Sequence, residues 1–478
     1  MPTRQPASQS WRFLTEDAEA ILAGLREGEF EHIYPASPTL FDRFLSYLDH
    51  LGVRDTLDTF PDHRQRRSIP VRFLAQTLLV RPLCAVSSLA QLGPVLSASP
   101  EVLHLLGFTA QQIAHGFRAN ARQRPFDEET LANFAATVTA QDCLDHCLAV
   151  LPKLLAAHPE YFAGATLIVD SKGVYAPPGK ATGTGERLEA AALKVCTLSL
   201  VVEGEAVPLV WLFAPQEAGE VTLGKQLLAA ALPLLAPAGV TTLLLDAGYL
   251  DGAWQAHLPQ RWGLRVGVRI REDMSLHADA FGALRSKDVL RPQAPSPWQE
   301  APSPKRKGQP RPPRREVALV RGLESWESAG EPVDVLALRD TYPDGKVEVW
   351  AVAFFGNTEK DSLALLAEWR QRWAIEEFFM VADRYRKLGR LFPCREGFAR
   401  AWVHFAFLAH LLLWCFDHYQ PEAPLPEPKS GWLLVIRGPY YAIVSVGRLL
   451  QIVLDHHEAW QSKRAQVFAR LGLNDASP

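Results

Sequence analysis

The sequence predicts an α/β protein in which a mostly helical N-terminal region is followed by a sheet with helices on both faces. Residues 1–155 repeat apolar side chains at helical spacing, for example along 144–155. From about residue 165 the apolar residues form short runs rich in β-branched side chains, and two runs end in aspartate, at Asp170 and Asp246. Runs that are apolar on both sides of the pleat are typical of central strands covered on both faces.

The elements that form this sheet are expected in a definite order. They are three strands, a helix, a fourth strand, a connection of helical length and a fifth strand, at 165–170, 193–202, 206–213, 223–235, 241–246 and 263–270. A proline-rich basic loop at 303–315 interrupts this regularity. Beyond it we expect strands at 317–320, 333–338 and 347–355, helices at 361–388 and 397–418, a linker at 421–428 and a helical tail.

Composition and charge are those of a folded, soluble protein. The chain has 478 residues, of which 48% are hydrophobic and 22% charged, and this excludes a disordered chain. The formal net charge is −3, so a nucleic-acid partner has to be argued from local basic patches. Six cysteines without metal-binding spacing indicate a reduced, cytoplasmic protein.

No membrane segment is expected. The N-terminal residues lack the apolar core of a signal peptide. The most apolar helical run, 401–416, has 16 residues and holds two histidines, whereas about 20 apolar residues are needed to cross a bilayer. We therefore expect a buried helix there.

The two strand-terminal carboxylates point to metal chemistry. Asp170 and Asp246 on neighbouring strands repel each other unless a cation lies between them. Carboxylate oxygens suit Mg²⁺ or Mn²⁺, and a pair of such ions stabilises both the attacking and the leaving oxygen of a phosphoryl displacement. The alternative for each residue alone is an aspartate that caps a turn.

A polar stripe on the predicted helix 361–388 offers a third carboxylate. Advancing about 100° per residue places Trp369, Arg372, Glu376, Asp383 and Lys387 on one side of that helix. The alternative is a solvated helix face in which Arg372 and Glu376 pair one turn apart.

The pattern Trp369-x-x-Arg372-x-x-x-Glu376, within the stretch RQRWAIEEFF, resembles the signature of DDE transposases of bacterial insertion sequences. In that signature, tyrosine, arginine, glutamate and lysine are separated by two, three and six residues. The segments LIVDS, with Asp170, and LLLDAGYLDG, with Asp246, resemble the two aspartate motifs of the family. The order of elements is also similar to its RNase H-like fold, and the resemblance covers about residues 160–420.

The resemblance implies an RNase H-like catalytic domain with a β-strand-rich insertion, a helical N-terminal domain that binds DNA ends, and a helical C-terminal tail. The expected boundaries are 1–155 for the N-terminal domain, 160–275 for the first part of the catalytic domain, 276–358 for the insertion with its basic loop, 359–420 for the closing helices and 429–478 for the helical C-terminal region.

The resemblance also implies an activity, cofactors and partners. Asp170, Asp246 and Glu376 are expected to be catalytic and to bind two Mg²⁺ or Mn²⁺ ions. The expected reaction is cut-and-paste transposition, in which the transposon ends are cleaved and joined to target DNA. The partners are double-stranded DNA, as terminal repeats and target, and a second copy of the chain on paired ends in the bacterial cytoplasm, at the nucleoid.

Two positions depart from the family signature. Trp369 stands where the family has tyrosine, and Asp383 stands where it has lysine. Lys387, one turn further on, is hypothesised to supply the missing cation. These departures leave two alternatives open: a DNA-binding protein that has lost catalysis, and a nuclease without strand transfer.

Several basic residues are predicted to contact DNA. Arg372 is expected to bind a phosphate near the transposon end, with Trp369 and Lys387 beside it. The segment 261–321 carries a local charge of +8, and Arg265, Arg269 and Arg271 share one face of a predicted strand. The loop residues Lys305, Arg306 and Lys307 complete the predicted DNA-binding set, although a merely solubilising loop would look the same.

Overall fold

The computed structural model describes most of the chain. The described residues are 10–13, 16–29, 32–35, 39–84, 86, 88–92, 100–117, 127–174, 193–281, 298–303, 314–356, 359–385, 396–418, 432–437, 440–445, 451–452, 455–456 and 458. Only the backbone is described at 10–13, 32–35, 39–42, 100–101, 383–385, 432–437 and 440–445.

The secondary structure of the described residues is mixed. The strands are β1 Ser10–Phe13, β2 His32–Pro35, β3 Thr166–Val174, β4 Leu193–Val202, β5 Glu205–Pro215, β6 Thr242–Leu245, β7 Arg265–Ile270, β8 Gln299–Ala301, β9 Arg314–Leu323, β10 Val333–Thr341, β11 Val347–Phe355, β12 Trp432–Arg437 and β13 Tyr440–Ser445. The helices are α1 Ala18–Arg26, α2 Thr39–His50, α3 Val53–Asp58, α4 Val71–Val80, α5 Pro100–Leu105, α6 Ala110–His115, α7 Glu128–Ala136, α8 Ala140–Ala157, α9 Glu220–Leu235, α10 Gly252–Trp262, α11 Ser275–Phe281, α12 Ser362–Arg370, α13 Ala374–Tyr385 and α14 Glu396–Asp417.

The chain divides into two compact units. One unit combines residues 1–139 with 397–478, and the other is residues 140–396. This division differs from the expected boundaries at both ends of the catalytic region. Helix α8 falls within the second unit, because its buried side chains pack on β5. Helix α14 falls within the first unit, although the sequence grouped it with the closing helices of the catalytic domain.

A nine-stranded sheet forms the centre of the second unit. Its strand order is β5-β4-β3-β6-β7-β11-β10-β9-β8. Strands β5, β4 and β3 form an antiparallel meander, while β6 and β7 run parallel to β3. This arrangement of the first five strands is the RNase H-like core, and it confirms the predicted fold class. Central strands β3 and β6 are buried along their apolar residues, as their sequences predict.

The inserted strands extend the same sheet. Strand β11 pairs antiparallel with β7, and β10, β9 and β8 follow outward from it. The structure therefore joins the expected β-rich insertion to the edge strand of the catalytic sheet. The physical reason is that the unpaired backbone edge of β7 would otherwise need another partner.

The long helix expected at 361–388 is interrupted. Helix α12 starts with the side chain of Asp361 accepting a hydrogen bond from the backbone N–H of Ala364. After Arg370 the backbone tightens into a 3-10 turn at Gln371–Trp373, and α13 follows directly. The tighter turn changes the angular position of Glu376 relative to Trp369 from the one that an uninterrupted α-helix gives.

The first unit is organised around α14. Most of this helix is buried, as the sequence predicts for the run 401–416. By length and composition it is the one described helix that meets the criteria for crossing a membrane, but most of its apolar stretch lies inside the structure. The guanidinium of Arg81 lies 3.4 Å from the centroid of the Trp402 ring and donates to the carbonyl of Trp402 at 3.3 Å.

A small sheet joins the two ends of the chain within this first unit. Its order is β1-β13-β12-β2, and β12 and β13 form an antiparallel pair. The expected helical C-terminal region, 429–478, therefore contains strands where a helical tail was expected. The run WLLVIR and the run YYAIVS are rich in β-branched and aromatic residues, which favour strands.

Candidate active site

The two aspartates predicted as catalytic lie side by side on neighbouring central strand paths of the nine-stranded sheet. The region around Asp170 and Asp246 is called the aspartate edge below. Parallel strands β3 and β6 are in register, with Val169 opposite Leu245, and Asp170 and Asp246 are the next residue on each strand path. Neighbouring strands are about 4.8 Å apart, so the two carboxylates share one small region. Their adjacency follows from register, as the sequence predicts.

Asp170 is held in a position where its charge is unfavourable. The pKa of the Asp170 carboxyl is raised to about 6, mainly by burial and also by the nearby charges of Asp246 and Glu376. The backbone N–H of Ser171, which donates to Oδ1 of Asp170 at 2.8 Å, and the guanidinium of Arg372 oppose this shift of the pKa. The three predicted carboxylates are therefore electrostatically coupled.

Asp246 has an unsatisfied oxygen. Its Oδ1 atom is buried and has no hydrogen-bond partner in the part of the chain that the structure describes. A buried carboxylate oxygen without a donor is costly, and such atoms mark strained or ligand-binding sites. The backbone of Asp246 leaves β6 and starts a 3-10 turn at Ala247–Tyr249.

Arg372 links the aspartate edge to Glu376. Its Nη2 donates to Oε1 of Glu376 at 2.7 Å, and its Nη1 lies 3.9 Å from Oδ2 of Asp170. The Arg372 side chain is 10% exposed and that of Glu376 is 40% exposed. The guanidinium thus neutralises part of the carboxylate charge at this edge.

A sequence comparison identifies the family to which this site belongs. The family model described as "Transposase DDE domain" matches residues 162–412, which is more than half of the chain and contains all three carboxylates. The chain belongs to the DDE transposase family. The search of curated proteins returns no match to this transposase.

Solved structures resemble the transposase only distantly. The piggyBac transposase synaptic complex with hairpin DNA aligns with a TM-score of 0.39 at 8% identity, over 94% of this chain and 89% of that chain. The NurA nuclease from Sulfolobus solfataricus aligns with a TM-score of 0.21 at 9% identity, over 44% of this chain and 73% of that chain. At these scores neither likeness adds to the family assignment.

DDE transposases generally use divalent metal ions, and the donor chemistry of this site fits such an ion. Asp170, Asp246 and Glu376 supply hard carboxylate oxygens, and no described residue donates to the buried Oδ1 of Asp246. Among the described residues, no group of three or more potential ligands is close enough to hold a metal as it stands. Oε1 of Glu376 instead accepts a hydrogen bond from Arg372.

Trp369 differs from its predicted role. The sequence predicts that it contacts DNA, but the transposase structure leaves it only 6% exposed. The guanidinium of Arg372 lies 5.6 Å from the centroid of the Trp369 ring. Because the side chain is buried, Trp369 supports Arg372 in this structure and presents no face to a ligand.

The other residues predicted to contact DNA differ in their partners and in their exposure. Arg265 forms a bidentate pair with Glu368, at 2.7 and 2.6 Å, which gives it a structural role in place of the predicted contact. Arg269 and Arg271 are exposed, as a DNA-facing role requires. Lys305, Arg306, Lys307 and Lys387 lie outside the described residues, as does the side chain of Asp383.

Two residues beside the site were missed by the sequence analysis. Lys172 lies two residues after Asp170, on the same face of β3, and its Nζ donates to the Phe379 carbonyl at 3.5 Å. Trp373, directly after Arg372, is 59% exposed. Alternation along β3 was a usable signal for Lys172, whereas the exposure of Trp373 depends on the 3-10 turn that the sequence did not reveal.

Proposed function

We propose that this transposase cleaves DNA at the ends of a bacterial insertion sequence and joins those ends to target DNA. The observation that carries the proposal is the in-register pair Asp170 and Asp246, with Arg372 linking Asp170 to Glu376. Three coupled carboxylates at one sheet edge are suited to binding divalent cations and to phosphoryl transfer. Cut-and-paste transposition is the route that this proposal favours.

The proposed chemistry has two displacements at phosphorus. In the first, the oxygen of a water molecule forms a bond to phosphorus while the bond to the 3′ oxygen breaks, which releases a 3′-hydroxyl end. In the second, that 3′ oxygen forms a bond to a target phosphorus while a target 3′ oxygen leaves. Each step exchanges one phosphorus–oxygen bond for another, so strand transfer needs no nucleotide cofactor.

The carboxylates are proposed to hold Mg²⁺ or Mn²⁺, as two ions. Bound there, the metal supplies activation of the nucleophile and stabilisation of the leaving oxygen. Asp170 and Asp246 bring two ligands from rigid strands, and Glu376 brings a third from α13. Arg372 holds the Glu376 carboxylate in the metal-free form.

DNA is proposed to approach this edge along basic and aromatic side chains. Arg372 and Lys172 provide cations within the site, and a guanidinium binds phosphate through parallel hydrogen bonds. The exposed ring of Trp373 offers a face on which an unpaired base can stack. Two protomers on paired ends, in the bacterial cytoplasm, complete the proposed assembly.

The decisive experiment uses the terminal repeats that flank the gene, a target plasmid and Mg²⁺. We expect the full chain to produce joined products, and we expect Asp170→Asn, Asp246→Asn and Glu376→Gln each to reduce cleavage by at least about 100-fold. Changes in the outer shell of a metal site already cost about 10–100-fold, so loss of a ligand has at least that effect. The products are measured by gel and by sequencing of the junctions.

Glu377→Gln provides a matched control, because Glu377 is exposed and adjacent to Glu376. It should retain wild-type cleavage. Cleaved ends without junctions would overturn strand transfer and support a nuclease, while a shifted but intact duplex would support a DNA-binding protein without catalysis. Full activity of the three carboxylate variants would overturn the site itself.

A further inference from the structure

A fourth carboxylate, Glu220, lies next to the aspartate edge without belonging to the predicted site. It is the first residue of α9, which has 16 residues, and its side chain is 34% exposed. A carboxylate is favoured at this end of a helix by the helix dipole. That preference explains why an acidic residue is tolerated there, but it does not explain the contacts that the carboxylate makes.

Glu220 contacts the segments that follow both aspartates. The Ser171 hydroxyl donates to Oε1 of Glu220 at 2.7 Å, and Ser171 is the residue after Asp170. On the other side, the Glu220 carboxylate lies directly against Gly248, the second residue after Asp246, where an added Cβ atom would overlap it. One carboxylate therefore contacts β3 directly after Asp170 and the turn that follows β6.

The contact with Gly248 explains why that position lacks a side chain. An overlap of this kind forces either the carboxylate or the turn Ala247–Tyr249 to move. The Lys194 ammonium lies 3.9 Å from Oε1 of Glu220 on the third side. The Glu220 carboxylate therefore has neighbours on β3, on β4 and in the turn after β6.

Glu220 approaches the aspartates from the opposite face of the sheet. Successive residues of a strand point to opposite faces, so Ser171 points away from the face on which Asp170 meets Arg372. The backbone N–H of Ser171 donates to Asp170 Oδ1 at 2.8 Å, so the residue that Glu220 holds also orients the first aspartate. This geometry connects Glu220 to the aspartates through Ser171 and Gly248.

We infer that Glu220 is a positioning residue that sets the relative placement of Asp170 and Asp246 for a shared divalent cation. The inference rests on the proposed function, because it assumes that the two aspartates bind metal together. Glu220 acts through the Ser171 hydroxyl and the Gly248 backbone. Outer-shell partners of this kind orient the ligands that they contact.

The test is metal binding by the full-length protein, with Mn²⁺ alone as the probe. Glu220→Gln should weaken Mn²⁺ binding about 10-fold by calorimetric titration, because loss of an outer-shell partner costs about 10–100-fold in affinity. Ser171→Ala removes the same hydrogen bond from the other side and should change the Mn²⁺ affinity in the same direction. Glu217→Gln, an exposed carboxylate three residues earlier, should leave it unchanged.

A double-variant cycle separates positioning from a general loss of structure. Gly248→Ala should displace the Glu220 carboxylate and weaken Mn²⁺ binding about as much as Glu220→Gln does, and it should add much less in a Glu220→Ala background, where the overlapping carboxylate is gone. Thermal unfolding in EDTA checks that each variant folds. Equal effects of Gly248→Ala in both backgrounds would overturn the inference, even if Glu220→Gln itself failed to fold.

Asp246→Asn distinguishes a failure of the positioning role of Glu220 from a failure of the proposed metal site. If Asp246→Asn abolishes Mn²⁺ binding while Glu220→Gln and Ser171→Ala bind as the wild type does, the positioning role is wrong and the proposed function stands. If Asp246→Asn also binds Mn²⁺ normally, the proposed metal site itself is wrong.

Discussion

The two edges of the parallel strands in the catalytic sheet are built in opposite ways. Where β6 ends, Asp246 lies beside Asp170, and Asp246 keeps a buried oxygen without a donor among the described residues. The sequence predicted that Asp170 closes its strand, but β3 continues past it to Val174. At the edge where β6 and β7 begin, Arg265 donates to Glu368 and to the Thr242 hydroxyl. Lys360 adds a second cation to Glu368.

The two edges differ in how completely their charges are satisfied. Opposite charges with full hydrogen bonding fasten α12 to the start of β7, and Glu368 is only 5% exposed. Like charges with incomplete hydrogen bonding cost stability, and such groups concentrate at functional sites. An edge that destabilises the isolated protein is therefore the better candidate for ligand binding.

The largest expected effect on stability is at the satisfied edge. Glu368→Ala leaves the largely buried guanidinium of Arg265 without its carboxylate partner. We therefore expect the free energy of unfolding to fall by about 3 kcal/mol. Urea unfolding followed by circular dichroism measures this. Glu359→Ala, an exposed neighbour, should change the value by less than about 0.5 kcal/mol. A loss below 1 kcal/mol for Glu368→Ala would break the contrast between the two edges.

Removal of a carboxylate from the aspartate edge should have the opposite effect and increase the free energy of unfolding. Because the pKa of Asp170 rises from 3.8 to about 6, the folded metal-free protein binds a proton that the unfolded chain has lost, and stability decreases as pH rises through that interval. Asp170→Asn removes this decrease and should stabilise the metal-free protein at pH 8 by about 1–3 kcal/mol.

Thermal unfolding in EDTA at several pH values measures the effect of Asp170→Asn. The gain should fade as pH falls below 6 and should be absent below about pH 3, where the carboxyl is protonated in both states. Added Mg²⁺ should stabilise the wild type more than the variant, because the variant lacks one proposed ligand. A destabilised variant at pH 8 would show that Asp170 is a satisfied structural residue.

A smaller effect is expected from the cation beside the acids. Lys172→Ala should weaken binding to DNA ends by about 1 kcal/mol and reduce the slope of log affinity against log salt by about 0.9, because one phosphate contact is lost. Lys225→Ala is the matched control, since Lys225 lies on α9 and pairs with Asp251. An unchanged salt slope for Lys172→Ala would show that Lys172 makes no phosphate contact, and the proposed site would then consist of its carboxylates and Arg372.

Particular residues show which parts of the site could be predicted from the sequence. Asp170 and Asp246 were predicted because apolar strands that end in a carboxylate are visible in one dimension, and register then brings them together. Trp369 was predicted to contact DNA and is buried, and the 3-10 turn at Gln371–Trp373 changes the phase of Glu376 relative to it, which helical periodicity alone did not reveal. Arg265 was predicted to face DNA, but its partner Glu368 is 103 residues away in the chain.

The sequence by itself determined the order of the central strands β3 to β7, the two aspartates beside each other on β3 and after β6, and the family to which the chain belongs. Local periodicity and short motifs are sufficient for these, because each depends on residues that are close in the chain. Only the tertiary structure decided that the inserted strands extend the β7 edge, that Arg372 lies between Asp170 and Glu376, and that Glu220 contacts both β3 and the turn after β6. Those contacts join residues distant in the chain, and their partners are fixed by packing.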